Sequence, residues 1–197
     1  MKTWLIALLA LTLLVRSSSA KAEPPEGDVV GKPAPAWAEL RWLGMPLKLE
    51  ALRGKAVLIR WWSNECPLCR STLPGLGRLY EEHEKDGLVV VGVYHPKPEP
   101  RPVSEAEVKK FADNLGIRFP VAIDADWTVL KRYWLTGRKR AFTSVSFLID
   151  RKGIIRWVHR GGEFHESRDP DHKNCDAAWQ DLQRVLKRVL SERLSPA

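Results

Sequence analysis

The stretch "KAVLIRWWSNECPLCRSTLPGL", residues 55–76, decides the fold. Its first half is a continuous apolar run, the pattern of a strand buried on both faces in the middle of a sheet. A helix is expected from near Cys66 to about Lys85, kinked at Pro74. Pro67 suits its first turn, where a missing N–H costs nothing. Cys66 and Cys69, three residues apart, then share one helix face and can form a disulfide without backbone rearrangement. The positive end of the helix dipole favours ionisation of Cys66, so Cys66 is expected to attack and Cys69, one turn deeper, to resolve.

Two other readings of the pair are weaker. Half of a zinc site needs a second pair of ligands, and none follows at zinc-finger distance. A purely structural disulfide would close too small a loop to remove much unfolded-state entropy. The spacing therefore points to redox exchange.

Working outward, "MKTWLIALLALTLLVRSSSA" has a charged start, an apolar run too short for a comfortable span, and small residues at its end. Residues 1–20 read as a signal peptide, cut after Ala20 or Ala22, and the chain as periplasmic or otherwise exported. An uncleaved membrane anchor is the alternative. The remaining length of about 175 residues fits one domain with a full core. Of the formal charge of +8, two units (Lys2 and Arg16) lie in this segment, leaving +6. Those charges are scattered apart from "GRKR" at 137–140. They read as a solvated face rather than a nucleic-acid surface. The nine tryptophans imply an aromatic core or groove.

Residues 21–36 form a Pro- and Gly-rich extended lead-in, and 37–197 the domain. "WAELRWLGMPLKLEAL" alternates around Gly44-Met45-Pro46 and reads as an N-terminal β-hairpin. "GLVVVGVY" is a second buried strand. Ser104 and Glu107 form a capping box for a helix that Gly116 closes. "FPVAID" is a strand, "ADWTVLKRYWL" a short helix, and "SVSFLIDRKGIIRWVH" two strands around a tight turn. "AAWQDLQRVLKRVLSERL" is a terminal amphipathic helix. The sum is an α/β fold, a mixed central sheet with helices on both faces.

Taken together, "VLIRWWSNECPLCRSTLPGL", "GLVVVGVY", "LGIRFPVAIDAD" and "SFLIDRKGIIRWVHRGG" resemble the exported thioredoxin-like redoxins of the TlpA-like group, over roughly residues 29–190. The resemblance implies a thioredoxin-like fold and thiol–disulfide exchange with protein disulfides and a redox partner. It implies Cys66 as the attacking cysteine, Cys69 as the resolving one and Trp62 as the aromatic at the strand end. No cofactor or metal is expected, and the protein is expected to be a monomer, with membrane contact only through an uncleaved N-terminus.

Three residues depart from the family. Glu65 replaces an aromatic before the first cysteine, and its carboxylate should disfavour a Cys66 thiolate. Arg70, at i+4 from Cys66, could counter it. Arg60 stands where thioredoxins bury an acid, and it cannot accept a proton. Ser144 stands at the cis-proline position before "FLID", which puts the usual substrate groove in doubt.

A thiol peroxidase is the rival enzyme class, but Ser63 and Ile59 give only half of the pattern P-x-x-x-T-x-x-C. A copper-handling module would use the two cysteines as soft ligands, and only Met45 remains after the leader to help. Cys175 is unpaired by count. His165, His172 and His159 lie near it in sequence, but their spacing matches no metal motif, so a loop carrying a lone thiol is expected. "GGEFH" at 161–165 reads as a turn and strand end, His83 as a surface helix residue and His95 as a loop residue.

Overall fold

The computed structural model describes residues 29–192 except 139 and 141. The expected signal peptide and the first part of the expected lead-in lie outside those residues. Six strands form one mixed sheet in the order β1-β4-β3-β2-β5-β6. They are β1 (Arg41–Leu43), β2 (Ala56–Trp62), β3 (Leu88–Tyr94), β4 (Val121–Ile123), β5 (Ser146–Ile149) and β6 (Ile155–His159). Strand β2 runs parallel to β3 and antiparallel to β5, while β1 and β6 run antiparallel at the edges.

All seven residues of β2 are buried, which explains its unbroken apolar run. Ala56, Leu58 and Trp62 face helices α1 (Pro67–His83), α2 (Glu105–Asn114) and α4 (Lys173–Ser191). Val57, Ile59 and Trp61 face the N-terminal segment and α3 (Thr128–Leu130), which continues into a π-helical turn over Lys131–Leu135. Each such aliphatic side chain contributes about 1.5–3 kcal/mol by leaving water. The tryptophans are mostly core: Trp37, Trp42, Trp61, Trp62, Trp134, Trp157 and Trp179 are all buried.

The expected N-terminal hairpin does not form. Strand β1 pairs with β4 across the sheet edge, and Leu49–Leu52 is a 3₁₀ turn burying Leu49 and Leu52. Pro46 cannot donate to a ladder, and the i,i+3 leucines suit a turn that eclipses them. The lead-in is also less free than its composition suggests. Val29 is core, and residues 31–34 bond to β6 and its turn through Gly31 N to Ile155 O (2.8 Å) and Ala34 N to Gly153 O (2.9 Å). Packing therefore reaches at least to residue 29.

Ser104 caps α2 as expected, accepting from the Glu107 amide at 3.1 Å. The Glu107 carboxylate turns to Arg101 instead of closing the capping box. Helix α4 begins at Lys173, four residues ahead of the expected start, so Cys175 lies on its first turn and not in a loop.

Gly92 on β3 leaves room for an indole at the strand end. A Cβ there would sit 2.9 Å from the Phe119 ring and 3.0 Å from Trp62 Nε1, so glycine lets the Trp62 ring lie across the strand.

Candidate functional site

Everything near the cysteine pair converges on the C-terminal end of β2. Strand β3 delivers His95 there, the segment entering β5 delivers Ser144, and the segment leaving β6 delivers Gly162 and Phe164. Cross-strand register places Arg60 opposite Ser146, and Ser146 opposite His159. Cys66 is the N-cap of α1 with Pro67 at the first helical position. Cys66 keeps 7% of its surface exposed and Cys69 keeps none.

Both cysteines are free thiols, and each shifts the ionisation of the other. With one pushed up and the other pulled down, the pair is expected to share one proton near neutral pH, its charge on the sulfur that the surroundings favour. The hydrogen bond from Cys66, then the Arg60 charge and the Ser144 hydroxyl, pull Cys69 down to about 5 against the cost of its burial. Cys66 is pushed up by donating that hydrogen bond, by burial and by the neighbouring Cys69 charge. Helix position alone would place the easier ionisation on Cys66. The structure puts the cation under Cys69 instead.

That cation is Arg60. Its guanidinium is completely buried, 3.8 Å from Cys69 Sγ, donating to Gly162 O at 2.8 Å and Ser146 Oγ at 3.2 Å, over the Phe164 ring at 5.5 Å. No carboxylate pairs with it among the described residues. An unpaired buried charge is costly, and the Cys69 thiolate is the anion within reach.

Ser144 closes the site from the β5 side. Its hydroxyl lies 3.4 Å from Cys69 Sγ and 3.6 Å from Cys66 Sγ, able to donate to whichever sulfur is charged. Trp62 is buried beneath the pair, edge-on to Tyr94. His95, expected as a loop residue, is fully buried and braces the site. Nδ1 lies 3.0 Å from the Trp62 carbonyl and Nε2 lies 2.9 Å from Thr143 Oγ1. Burial and Lys97 hold it down to about 3, so it is neutral and does not supply a proton. His83 lies at the end of α1 beside Asp86, near the surface.

The lip of the site is built differently. Glu65 accepts from Ser63 Oγ, and Arg101, not Arg70, approaches its carboxylate at 3.5 Å. Arg70 is exposed and has no ion pair among the described residues. Leu68, between the cysteines, and Phe142, just before Ser144, are both unusually exposed for large apolar residues, at 38% and 54%.

Arg101, Ser146, Gly162 and Phe164 carry no signal in the sequence, because only the fold brings them to β2. The sequence marks Arg60 solely as a missing acid. Its polar side chain inside an otherwise apolar strand was the available clue.

Residues 30–158 match the AhpC/TSA family. The protein DipZ of Mycobacterium tuberculosis is 36% identical over 120 residues, covering 59% of this chain and 16% of DipZ. The thiol-disulfide oxidoreductase ResA of Halalkalibacterium halodurans is 32% identical over 119 residues, 60% of this chain and 61% of that one. The chain thus spans a minor part of DipZ and about three fifths of ResA. A solved thiol-disulfide isomerase from Corynebacterium glutamicum superposes with a TM-score of 0.60 at 27% identity, covering 81% of this chain and 98% of the other. The thioredoxin-like fold and the resemblance to TlpA-like redoxins stand with these matches.

Proposed function

Because the chain belongs to the AhpC/TSA family, and because one cysteine of its pair keeps a small exposed edge while the other lies sealed on a charged floor, we propose that it is an exported thiol:disulfide oxidoreductase acting on protein disulfides. The observation that carries this reading is the Cys66–Cys69–Arg60 arrangement: one thiol that keeps a small exposed edge, a fully buried partner, and a cation whose anion is the partner's thiolate.

The proposed cycle starts with the shared proton moving from Cys66 to Cys69. The Cys66 thiolate attacks a substrate disulfide R–S–S–R′, forming the mixed disulfide Cys66–S–S–R, and R′S⁻ leaves, taking the Cys69 proton. The Cys69 thiolate attacks Cys66 Sγ and RS⁻ departs. Cys66–Cys69 is now a disulfide and two electrons have passed to the substrate. The reverse sequence oxidises a substrate dithiol.

The exposed Leu68 and Phe142 beside the pair support a polypeptide substrate, which they would contact. Export rests on residues 1–20. Among the described residues no helix is long and apolar enough to cross a membrane. The peroxidase alternative is not favoured by Ser63, whose hydroxyl is spent on Glu65.

Insulin-type disulfide reduction run beside peroxide consumption tests the proposal. Turnover of disulfides that needs both cysteines is expected. Fast peroxide turnover surviving Cys69→Ser would replace this reading with the peroxidase one.

A further inference from the structure

Away from the redox pair, four side chains that the sequence leaves scattered meet at one point. Glu163 and His165 come from the segment leaving β6, His172 from the short turn Pro170–His172, and Cys175 from the first turn of α4. One donor atom from each lies within 4.8 Å of all the others. From these residues we infer a binding site for a divalent transition metal, zinc, with Glu163, His165, His172 and Cys175 as ligands.

For the two histidines the spacing from Glu163 suits a tetrahedral ion better than it suits hydrogen bonding. Zinc–nitrogen and zinc–sulfur bonds of about 2.0–2.3 Å place tetrahedral ligands about 3.3–3.8 Å apart. His172 Nδ1 lies 3.5 Å from Glu163 Oε1, and His165 Nε2 lies 3.9 Å from Glu163 Oε2. Both are long for hydrogen bonds and close to the separation across a shared ion.

Two features aim the donors inward. His165 Nδ1 lies 3.0 Å from the Glu166 carbonyl. Donating there fixes the tautomer that leaves the Nε2 lone pair toward the cluster, as ligating histidines are commonly held. His172 Nδ1 is buried without a hydrogen-bond partner. The surrounding chain is braced without the ion, through Ser167 N to Asp176 Oδ1 and Asp171 N to Asp169 Oδ1, both 3.0 Å. Two neutral imidazoles with one carboxylate and one thiolate balance a dication. The soft thiolate beside imidazoles selects zinc over magnesium or calcium. On binding, the Cys175 proton passes to solvent and a metal–sulfur bond forms, with no change of oxidation state.

The ion would also bear on the redox site. Glu163 sits between Gly162 and Phe164, the two residues that hold Arg60, so loading would fix that segment.

The test uses the tag-free mature chain carrying Cys66→Ser and Cys69→Ser, which removes the competing thiols, and Co²⁺ as the probe. One equivalent is expected to give a thiolate-to-cobalt charge-transfer band with intense tetrahedral d–d bands, both displaced by Zn²⁺. Zinc at hundredfold excess over its Kd is expected to raise Tm by about 5 °C or more. Adding Cys175→Ser should abolish the charge-transfer band, and Glu163→Gln should keep the band while weakening binding at least tenfold, with the circular dichroism of both unchanged. No charge-transfer band with Cys175 present, a band that survives Cys175→Ser, or an unmoved Tm would each overturn the site.

Discussion

Arg60 and Glu65 bracket the same cysteine pair from opposite sides. Arg60 lies on the floor, sealed from solvent, its guanidinium 3.8 Å from Cys69 Sγ. Glu65 lies on the lip, its side chain 38% exposed, held by Ser63 and approached by Arg101. In the sequence both residues stand out only as departures from the family, Glu65 for its charge beside Cys66 and Arg60 as a missing acid. Burial makes them unequal. A charge pair near 4 Å is worth about 4 kcal/mol at an effective dielectric of 20 and about 1 kcal/mol in water, and Glu65 has a cation and a hydroxyl of its own. The floor should set the chemistry, and the lip should govern access.

The largest test of that division is deletion of one cysteine at a time. Cys69→Ala and Cys66→Ala should both abolish turnover. Only Cys69→Ala should accumulate a mixed disulfide with substrate, carried on Cys66, because the sealed thiol proposed to resolve is gone while the one with some exposure remains. Mass spectrometry of trapped adducts reads this directly. An adduct on Cys69 in Cys66→Ala would reverse the roles.

Next is Arg60→Met. Losing the cation should raise the Cys69 pKa and destabilise the thiolate, by on the order of 2 kcal/mol after partial compensation, which for two electrons is about 40 mV toward a more reducing couple. The oxidised protein should melt higher in the variant, since a buried charge without its anion has been removed. A potential unchanged in Arg60→Met would show that the floor is silent.

The shared proton gives a pH signature. The disulfide binds no thiol protons. The reduced pair binds two below about 5 and one above it. The potential should therefore fall with rising pH by about 59 mV per unit below the break and about 30 mV per unit above it. The Cys69 pKa is depressed, so the stability that its thiolate gives the reduced fold is lost as pH falls through about 5 and grows toward the ordinary thiol value of 9.0. A uniform slope of 59 mV per unit through neutral pH would mean that both thiols stay protonated.

How much of this was legible in the sequence follows the same split between local and assembled features. The run from β2 into Cys66 and α1 was legible because a buried strand, a helix-initiating proline and the cysteine spacing are local. The two strands around Gly153 were legible for the same reason. The hairpin was not, because alternation around Gly44 marks one edge strand without naming its partner, and that partner is β4, far along the chain. The cluster around Glu163 was also hidden, since an irregular loop and two turns set its spacing. Arg60 was visible as an oddity, but its relation to Cys69 depends on which face of β2 it occupies.

Ser144→Ala probes the wall between floor and lip. Its hydroxyl is one weak donor near both sulfurs, so its loss should cost the thiolate about 1 kcal/mol at most and raise the pair's first ionisation by less than one unit. Thiolate absorbance against pH measures it. A shift as large as that of Arg60→Met would move the controlling contact from the floor to the wall.

Glu65→Gln should have the smallest effect. A carboxylate beside Cys66 read from sequence alone should raise the thiolate's energy, so removing it should lower the Cys66 pKa and make the couple more oxidising by a few tens of millivolts. In the structure the carboxylate is half in solvent, bound to Ser63 and near Arg101, and the charge of the reduced pair sits on Cys69, beyond Cys66. Exposed pairs of this kind are worth less than about 1 kcal/mol. The remaining influence on the cysteines is smaller still, so the expected shift is below about 10 mV, in the oxidising direction. The same substitution frees Arg101 at the lip, where a changed KM for a charged protein substrate would register even with the potential unmoved. Redox equilibration with glutathione, run on both proteins at one pH, decides the matter. A shift of several tens of millivolts would mean that the lip tunes the couple as strongly as the floor, and the division between them would fall.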